Sequence, residues 1–258
     1  MKKINQGIKF YNARELEIVK GTEVYHDFPK HTHEKCCIGL VISGTLVLEV
    51  KGKIYNLEKD DVYIINSREE HRITPFNRNG FSYVVICFSS YGTNKKVFSK
   101  SVVQNKELSQ RILSFYNDVI DSKTLIKDKL KSLLDSIESG VKSNDNFQIL
   151  DEKINSAINY ISKNIKEKVC LETVAENSYT SKYYFLRLFE NKVGLSPHRF
   201  HIQQKIKLSK KMIVKDIELT NIGIDLGFTD QSHFIRTFKK YTGVTPKEYK
   251  KSYEDFDI

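Results

Sequence analysis

The 258-residue sequence lacks the segments that direct proteins to membranes or secretion. It contains no run of 18 apolar residues, so we expect no transmembrane helix. Two lysines stand near its start, but no apolar core follows them as in a secretory signal. Its four cysteines, Cys36, Cys37, Cys87 and Cys170, show neither a disulfide framework nor CxxC spacing. We therefore expect a cytoplasmic protein, in a reducing compartment, without a membrane partner.

The sequence also lacks the local motifs of common enzyme classes. We find no phosphate-binding loop and no Ser/His/Asp arrangement in a recognisable context. The composition, with 40% hydrophobic and 29% charged residues, is that of an ordinary soluble protein long enough for one or two domains. These absences predict a protein that is not an enzyme and has no resident cofactor.

Positive charge is concentrated near the C-terminal end. The chain carries a formal net charge of +10. Between Lys182 and Lys251 there are 15 Lys and Arg residues against 6 Asp and Glu residues. A basic stretch of this kind favours a polyanionic partner, although a solvated lysine-rich surface would give the same count.

The same region contains a repeat with a constant offset of 49 residues. The first copy runs from Leu171 to Phe200 and the second from Thr220 to Tyr249. A Gly and a Pro recur in both copies, and their backbone requirements are hard to meet by chance. The pattern therefore predicts a tandem structural repeat. The matched pairs are Thr180/Thr229, Phe185/Phe234, Arg187/Arg236, Phe189/Phe238, Gly194/Gly243, Pro197/Pro246 and Phe200/Tyr249.

Residues 1–100 have the pattern of a β domain. Short runs rich in β-branched and aromatic residues alternate with turn sequences such as Ser43-Gly44 and Lys51-Gly52-Lys53. Many short strands without intervening helices predict an antiparallel barrel or sandwich. The predicted strands are Arg14–Val19, Cys37–Val50, Lys53–Leu57, Asp61–Ile65 and Phe81–Phe88.

Helical periodicity begins after this domain. Two amphipathic helices are predicted between Val102 and Ile137, with a break near Asp121-Ser122. Their apolar stripes could pack on the barrel, form a dimer surface, or do both. A polar linker is expected at 141–148, and residues 149–258 are predicted to be helical.

Each repeat copy predicts a helix, a tight turn and a second helix. We expect Thr180 or Ser181 in the first copy and Asp230 in the second to cap the second helix. Gly194 and Gly243 are placed to end those helices in a left-handed conformation. Ser196-Pro197 and Thr245-Pro246 then restart the chain as an N-cap followed by a first-turn proline.

The outward faces of these second helices carry residue types that can read DNA bases. An Arg side chain can bridge guanine O6 and N7, and a Gln side chain can bridge adenine. A short helix after a tight turn is the geometry that enters a major groove. The sequence therefore predicts helix-turn-helix units at about 171–192 and 220–241 that bind double-stranded DNA.

Residues 150–252 resemble the DNA-binding domain of AraC/XylS-type transcription regulators. IGIDLGFTDQSHFIRTFKKYTGVTPKEYK carries the resemblance most strongly, while SKYYFLRLFENKVGLSPHRF and KIKLSKKMI match more loosely. The resemblance implies seven helices, with two recognition helices joined by a long helix and inserted in successive major grooves. It also implies a transcription regulator, most often an activator, that works with RNA polymerase and forms a homodimer.

The resemblance implies base contacts by Tyr183, Leu186 and Arg187 in the first unit. In the second unit it implies contacts by Gln231, Ser232 and Arg236, with His233 at the edge of the same face. Leu186 departs from the polar residue often found at its position, so the first helix would read fewer bases. The residues expected to contact phosphates are Lys182, Lys192, Lys239 and Lys240.

The stretch from Phe28 to Pro75 resembles the small cupin-like sensor domain of such regulators. Metal-binding cupins supply three His and one Glu; here the first motif gives His31 and His33 with Cys37 at the Glu position. The second motif gives His71, but Asp60, Asn66 and Arg68 replace its usual Gly and Pro. We expect a small-molecule effector pocket lined by His31, His33, Cys37, Tyr63 and His71.

Two other interpretations remain open at this point. The same imidazole and thiolate groups suit zinc or a similar divalent metal, which would make the protein a metal or redox sensor. A cupin enzyme fused to a DNA-binding module is a third reading. The expected organisation is a cupin-like barrel at 1–100, a helical dimerisation or packing segment at 101–140, a linker at 141–148 and a DNA-binding domain at 149–258.

Overall fold

The computed structural model describes residues 7–13, 16–89, 97–122, 127–140, 143–144, 152–167, 169–177 and 181–256. The chain divides into two compact units. The first comprises Met1–Asp27, His33–Phe147 and Ser252–Ile258, and the second comprises Phe28–Thr32 and Gln148–Lys251. Two short segments, Phe28–Thr32 and Ser252–Ile258, thus depart from the consecutive division that the sequence predicts.

The first unit contains the predicted β domain. Its strands are β1 (Ile8–Ala13), β2 (Leu16–Val24), β4 (Cys36–Gly44), β5 (Leu46–Val50), β6 (Lys53–Leu57), β7 (Val62–Ile65), β8 (His71–Pro75), β9 (Phe81–Phe88), β10 (Val97–Phe98), β11 (Val102–Val103), β12 (Ser143–Asn144) and β13 (Tyr253–Asp255). The strand β3 (Phe28–His31) belongs to the second unit.

Seven of the described strands form one sheet in the order β11-β7-β4-β9-β2-β1-β13. Its neighbours are antiparallel except for β1 and β13, which run parallel. A second sheet places β5 between β8 and β6, and β10 pairs with β12. In β5, Leu46, Leu48 and Val50 are fully buried while the residues between them are partly exposed. This alternation buries one face of the strand.

The expected single strand Cys37–Val50 is wrong in one respect, because Thr45 separates β4 from β5. Gly44 has a φ of 74°, a left-handed conformation that glycine adopts without strain. A side chain there would also collide with the carbonyl of Gly80. The turn sequence Ser43-Gly44 therefore ends β4, as its chemistry indicated.

Two helices follow the strands, α1 (Lys106–Ser122) and α2 (Lys127–Gly140). Their apolar stripes join residues of the large sheet in one hydrophobic core. The packing interpretation of these stripes is therefore confirmed. The stripe residues buried there are Leu108, Ile112, Phe115, Tyr116, Val119, Leu130, Leu133, Leu134 and Ile137.

The second unit contains seven helices among its described residues, as the resemblance implied. They are α3 (Glu152–Lys163), α4 (Leu171–Asn177), α5 (Lys182–Val193), α6 (Pro197–Val214), α7 (Leu219–Asp225), α8 (Gln231–Thr242) and α9 (Pro246–Ser252). One core joins α3, α4 and α5 through residues such as Ile154, Val174 and Phe185. No helix in the described ranges is both long and apolar enough to cross a membrane.

Some sequence predictions fall outside the described residues. These include Arg14, the alternative cap Thr180 and most of the predicted linker. Within that linker, Ser143 and Asn144 are described, and they pair with Phe98 and Val97. Part of the segment expected as linker is thus a short strand of the first unit.

Candidate DNA interface and effector site

The recognition helices α5 and α8 begin at side-chain caps. The Asp230 carboxylate accepts a hydrogen bond from the backbone N–H of His233 at 2.7 Å. The Ser181 hydroxyl accepts one from Tyr184 at 3.4 Å. Each cap satisfies an N–H that the helix leaves unpaired. The caps predicted for α5 and α8 are therefore confirmed at Ser181 and Asp230.

Both helices end at the predicted glycines. Gly194 has a φ of 79° and Gly243 a φ of 80°. Their N–H groups donate to the carbonyls of Glu190 and Lys239, each at 2.8 Å. Because only glycine adopts this left-handed conformation freely, the repeated Gly fixes the same helix length in both units.

A buried aromatic stripe sets the orientation of each helix. Phe185, Phe189, Phe234 and Phe238 are fully buried. In the second unit, Phe238 also packs edge-on against Tyr249, with ring centroids 5.5 Å apart. Since helical residues three or four apart share a face, burying these rings directs the opposite face of α5 and α8 to solvent.

The outward face of α8 is polar and basic. Gln231, Ser232, Arg236, Lys239 and Lys240 are all exposed. These groups can donate to base edges or to phosphate oxygens.

His233 occupies a different position from these residues. Its half-buried ring packs edge-on against Phe228, with centroids 5.4 Å apart. This contact gives His233 a packing role that the sequence reading did not anticipate.

The outward face of α5 is less polar. Tyr183 is 78% exposed and Arg187 is exposed, while Leu186 is half-buried. Lys182 forms an ion pair with Glu172 of α4, which raises the pKa of the lysine. Lys182, which we expect to contact a phosphate, thus has an acidic neighbour within its own helix-turn-helix unit. Lys192 is half-buried in the last turn of the helix.

One lysine of the basic region faces inward. The Lys205 side chain, on α6, is 5% exposed, and its Nζ donates to the carbonyl of Gly227 at 3.1 Å. The same Nζ lies 5.4 Å from the centre of the Phe228 ring. Burial lowers the pKa of Lys205. This contact ties α6 to the turn of the second helix-turn-helix unit, so the charge count overestimates the basic surface.

Three predicted effector residues lie together in the first unit. The Sγ of Cys37 is 3.4 Å from Nδ1 of His33, and the rings of His33 and His71 are 4.5 Å apart. His71 is 2% exposed, and its Nδ1–H donates to the carbonyl of Glu69 at 3.0 Å. This hydrogen bond puts the proton of a neutral ring on Nδ1, so Nε2 is its acceptor nitrogen.

Tyr63 has an unusual environment for a buried phenol. It is 1% exposed, and among the described residues its hydroxyl is the buried side-chain polar atom without a hydrogen-bond partner. Its ring lies over Gly39, where any side chain would collide with it. Burial raises the pKa of Tyr63, so the hydroxyl stays protonated and can donate. A buried hydroxyl without a partner is costly, which makes a ligand acceptor favourable here.

Sequence reading missed Tyr83 and Cys87 in this cluster. Cys87 is the cross-strand neighbour of Cys37, and the Tyr83 ring lies over Gly21. Nearby ionisable groups, Tyr83, Cys37 and Cys87, add to the rise in the pKa of Tyr63. Alternation along Phe81–Phe88 could have placed Tyr83 and Cys87 on one face, but their proximity to Cys37 depends on strand register.

His31 lies in the second unit, at the end of β3. Its Nδ1–H donates to the carbonyl of Pro29 at 2.8 Å. The pKa of His31 is lowered to about 4, mainly by desolvation. The hydrogen bond to Pro29 opposes this decrease, and the charge of Lys210 contributes to it. The imidazole is therefore neutral at physiological pH.

Comparison with known families gives two matches along the chain. Residues 16–123 match an AraC-like ligand-binding domain, and residues 174–252 match a helix-turn-helix domain. Together the two matches span more than half of the chain. They coincide with the β domain and with the two helix-turn-helix units described above.

Relatives of similar length are regulators. The chain is 23% identical over 235 residues to an uncharacterized HTH-type transcriptional regulator, YbfI, of Bacillus subtilis, covering 84% of this chain and 85% of the relative. It is 22% identical over 243 residues to a probable transcriptional regulator, LumQ, of Photobacterium leiognathi, covering 91% and 94%.

Solved structures show the same fold. ToxT of Vibrio cholerae O395 aligns with a TM-score of 0.62 at 14% identity, covering 92% of this chain and 97% of ToxT. ToxT with a bound unsaturated fatty acid aligns with a TM-score of 0.60 at 16% identity, covering 97% of each chain. With both family matches in their expected order, the chain belongs to the AraC/XylS family of DNA-binding transcription regulators and carries the AraC-like ligand-binding domain of that family.

Proposed function

We propose that this protein is a cytoplasmic transcription activator that recruits RNA polymerase when a small effector occupies its N-terminal β domain. The observation that carries the DNA-reading part is the pair of helices α5 and α8, each capped, glycine-terminated and turned outward with an exposed arginine. Such helices fit successive major grooves about one turn (~34 Å) apart.

Base reading is assigned to three residues of each helix. In α5 these are Tyr183, Leu186 and Arg187. Leu186 offers only an apolar contact, for which a thymine methyl group is the matching surface. In α8 they are Gln231, Ser232 and Arg236. His233 lies at the edge of the outward face of α8 and packs on Phe228. The residues assigned to phosphate contacts are Lys182, Lys192, Lys239 and Lys240.

The two outward faces differ, so each protomer should read an asymmetric sequence. Arg187 and Arg236 occupy equivalent positions, but Tyr183 and Leu186 correspond to Ser232 and Ile235. The phenol hydroxyl of Tyr183 lies farther from its helix than the hydroxyl of Ser232, and Leu186 and Ile235 differ in shape, so the two helices present different contact surfaces to the bases. A non-palindromic half-site per chain follows from this difference.

The proposed effector pocket centres on the unpartnered Tyr63 hydroxyl. His33, Cys37 and His71 supply the other polar groups, and His31 is assigned as a further lining residue. A buried phenol donor matches a carbonyl or carboxylate oxygen on a mostly apolar molecule. A small carboxylic acid is one class to test first, because the similarly folded ToxT has a structure with an unsaturated fatty acid.

The proposal is tested by selecting duplexes from a random pool with the full chain. An enriched, asymmetric motif with two reading blocks about one turn apart is the expected result. Affinity for the selected duplex should fall by about 10³-fold or more from 50 to 200 mM salt if six or more phosphates are contacted. Failure to enrich any sequence would reject the function, and a short palindrome within one protomer's footprint would reject the asymmetric reading.

A second candidate function is a metal-sensing or redox-sensing regulator. The observation that favours it is the contact of Cys37 Sγ with His33 Nδ1, with the His71 ring beside them. Two imidazoles and a thiolate are ligands that zinc accepts, and His31 is the remaining candidate from the sequence. Metal analysis of untagged protein decides between the two: stoichiometric metal that is lost in His33→Ala favours this function over an organic effector.

We assign no enzymatic step and no resident cofactor to the protein, since its relatives are transcription regulators.

We propose that it acts as a homodimer. Because the stripes of α1 and α2 are buried within their own unit, the dimer would use another surface. Light scattering at micromolar concentration should return twice the 30.0 kDa chain mass.

A further inference from the structure

A carboxylate lies on the outward face of α5, among the residues that we assign to base reading. Glu190 follows Arg187 by three residues and Tyr183 by seven, so helical spacing places all three on one face. The side chain of Glu190 is exposed, on the side of the helix opposite the buried rings of Phe185 and Phe189. Glu190 therefore belongs to the surface that α5 would present to a major groove.

The repeat gives this position a different charge in each helix-turn-helix unit. Glu190 in α5 corresponds to Lys239 in α8 at the constant offset of 49 residues. Lys239 can contact a phosphate, whereas a carboxylate is repelled by one. An acid that faces DNA therefore lowers the affinity, unless a hydrogen-bond donor on the DNA compensates for its charge.

The stability of the protein does not account for this carboxylate. Glu190 lies in the last turn of α5, where a negative charge opposes the helix dipole. Its side chain forms no ion pair with any residue that the structure describes, including Arg187 on the same face. Glu172 provides the contrast, because it pairs with Lys182 at the start of the same helix. The carboxylate of Glu190 can therefore accept a hydrogen bond from a ligand.

The major groove offers two amino groups to such a carboxylate, N4 of cytosine and N6 of adenine. Glutamate is matched to cytosine, since adenine presents the acceptor N7 beside its donor. Residues three apart on a helix differ by ~4.5 Å along its axis, which is comparable to the ~3.4 Å between successive bases of one strand. Arg187 and Glu190 can therefore contact neighbouring bases.

We infer that Glu190 is a specificity-determining residue that accepts a hydrogen bond from a cytosine amino group in the part of the site that α5 reads. The inference rests on the proposed base reading by α5. Glu190 strengthens binding where cytosine stands at its position. On other sequences its charge stays uncompensated and weakens binding, so the residue acts by discrimination between sequences.

Base-pair substitutions in the selected duplex test this assignment with the full chain. The block that α5 reads is the one in which Arg187→Ala becomes insensitive to base substitution. Each C·G pair of that block is changed to T·A, which replaces the cytosine amino group by a carbonyl. The Kd of every duplex is measured for the parent, for Glu190→Ala and for Glu190→Gln.

Glu167→Ala is the matched control. Glu167 is exposed and lies outside both helix-turn-helix units, so this variant makes the same change in charge away from the reading faces. Unfolding midpoints of all variants establish that each is folded.

We expect one C·G position at which the change to T·A costs the parent and Glu167→Ala about 5-fold or more in Kd, the lower range for a base contact. The same change should cost Glu190→Ala less than about 2-fold. On a scrambled duplex, Glu190→Ala should bind at least as tightly as the parent, because a negative charge is removed. Glu190→Gln should change the preference at this position to adenine, whose N6 and N7 an amide can bridge.

Two results overturn the inference. One is a block without a C·G position that distinguishes the parent from Glu190→Ala, and the other is a change in Kd by the same factor on every duplex in that variant. If the chain selects no sequence, or if Arg187→Ala alters no position of the selected site, base reading by α5 itself is wrong and the inference fails with it.

Discussion

The ring of Phe256 stacks on the ring of Tyr11, with centroids 5.6 Å apart and planes inclined by 21°. The backbone N–H of Phe256 also donates to the carbonyl of Asn12 at 2.9 Å. Directly before it, β13 pairs in parallel with β1. After α9, the chain thus forms β13, which is an edge strand of the large sheet.

Removing the Phe256 ring should destabilise the first unit. The side chain is 6% exposed and belongs to the core shared by the sheet, α1 and α2. Phe256→Ala should cost about 3 kcal/mol, at the low end for buried phenylalanines because the site lies at a sheet edge. Urea unfolding measures the loss. The exposed Glu254 on the same strand provides the control, since Glu254→Ala should change stability by less than about 0.5 kcal/mol. Equal effects would show that the strand is not held by this ring.

Two glycines of the second helix-turn-helix unit should respond oppositely to alanine. Gly227 has a φ of 64°, and a side chain there would overlap the carbonyl of Lys166. Gly227→Ala should therefore cost at least about 2 kcal/mol from backbone strain and overlap. Gly223 lies within α7, and its added carbon would only touch Phe234 at 3.6 Å. Gly223→Ala should stabilise by about 0.5–1 kcal/mol through helix propensity. Thermal unfolding of both variants checks this pair, and a stable Gly227→Ala would contradict the observed turn.

His201 should make stability depend on pH. Its Nε2–H donates to the carbonyl of Ile165 at 2.8 Å, and burial lowers the pKa of the ring. In the unfolded chain the ordinary pKa is about 6.5, so the unfolded state takes up a proton first as the pH falls. Stability should therefore decrease as the pH drops below about 6.5.

The variant His201→Gln separates this effect from other titrating groups. Glutamine keeps a donor for Ile165 but has no proton to gain. The difference in unfolding free energy between pH 7.5 and pH 5.5 should be smaller in the variant than in the parent. Identical pH dependence in both proteins would mean that His201 takes up its proton equally well in the folded state.

The scaffold of the DNA-binding unit was predictable because its determinants are local. Asp230 caps α8 and Gly243 ends it through contacts within four residues along the chain. Such contacts leave a readable pattern in one sequence, and the 49-residue repeat doubles that pattern. The same reasoning located Lys53–Leu57 and Phe81–Phe88 as strands with their observed bounds.

Long-range relationships were not predictable in this way. The pairing of β13 with β1 joins residues more than 240 positions apart, and three residues of ordinary polarity carry no signal for it. Tyr63 over Gly39 and Cys87 beside Cys37 follow from strand register. Lys205 illustrates the same limit for charge, because composition cannot distinguish a buried lysine from a phosphate contact.

The most direct test of the central claim compares Arg236→Ala with Lys239→Ala on two duplexes. Both side chains are exposed on α8, but we assign Arg236 to a base and Lys239 to a phosphate. On the selected site, Arg236→Ala should cost about 1–3 kcal/mol, or roughly 5- to 150-fold in Kd, with little loss on a scrambled duplex. Lys239→Ala should weaken both duplexes by a similar factor and reduce the salt dependence. Equal loss of affinity on both duplexes for Arg236→Ala would contradict base reading by α8.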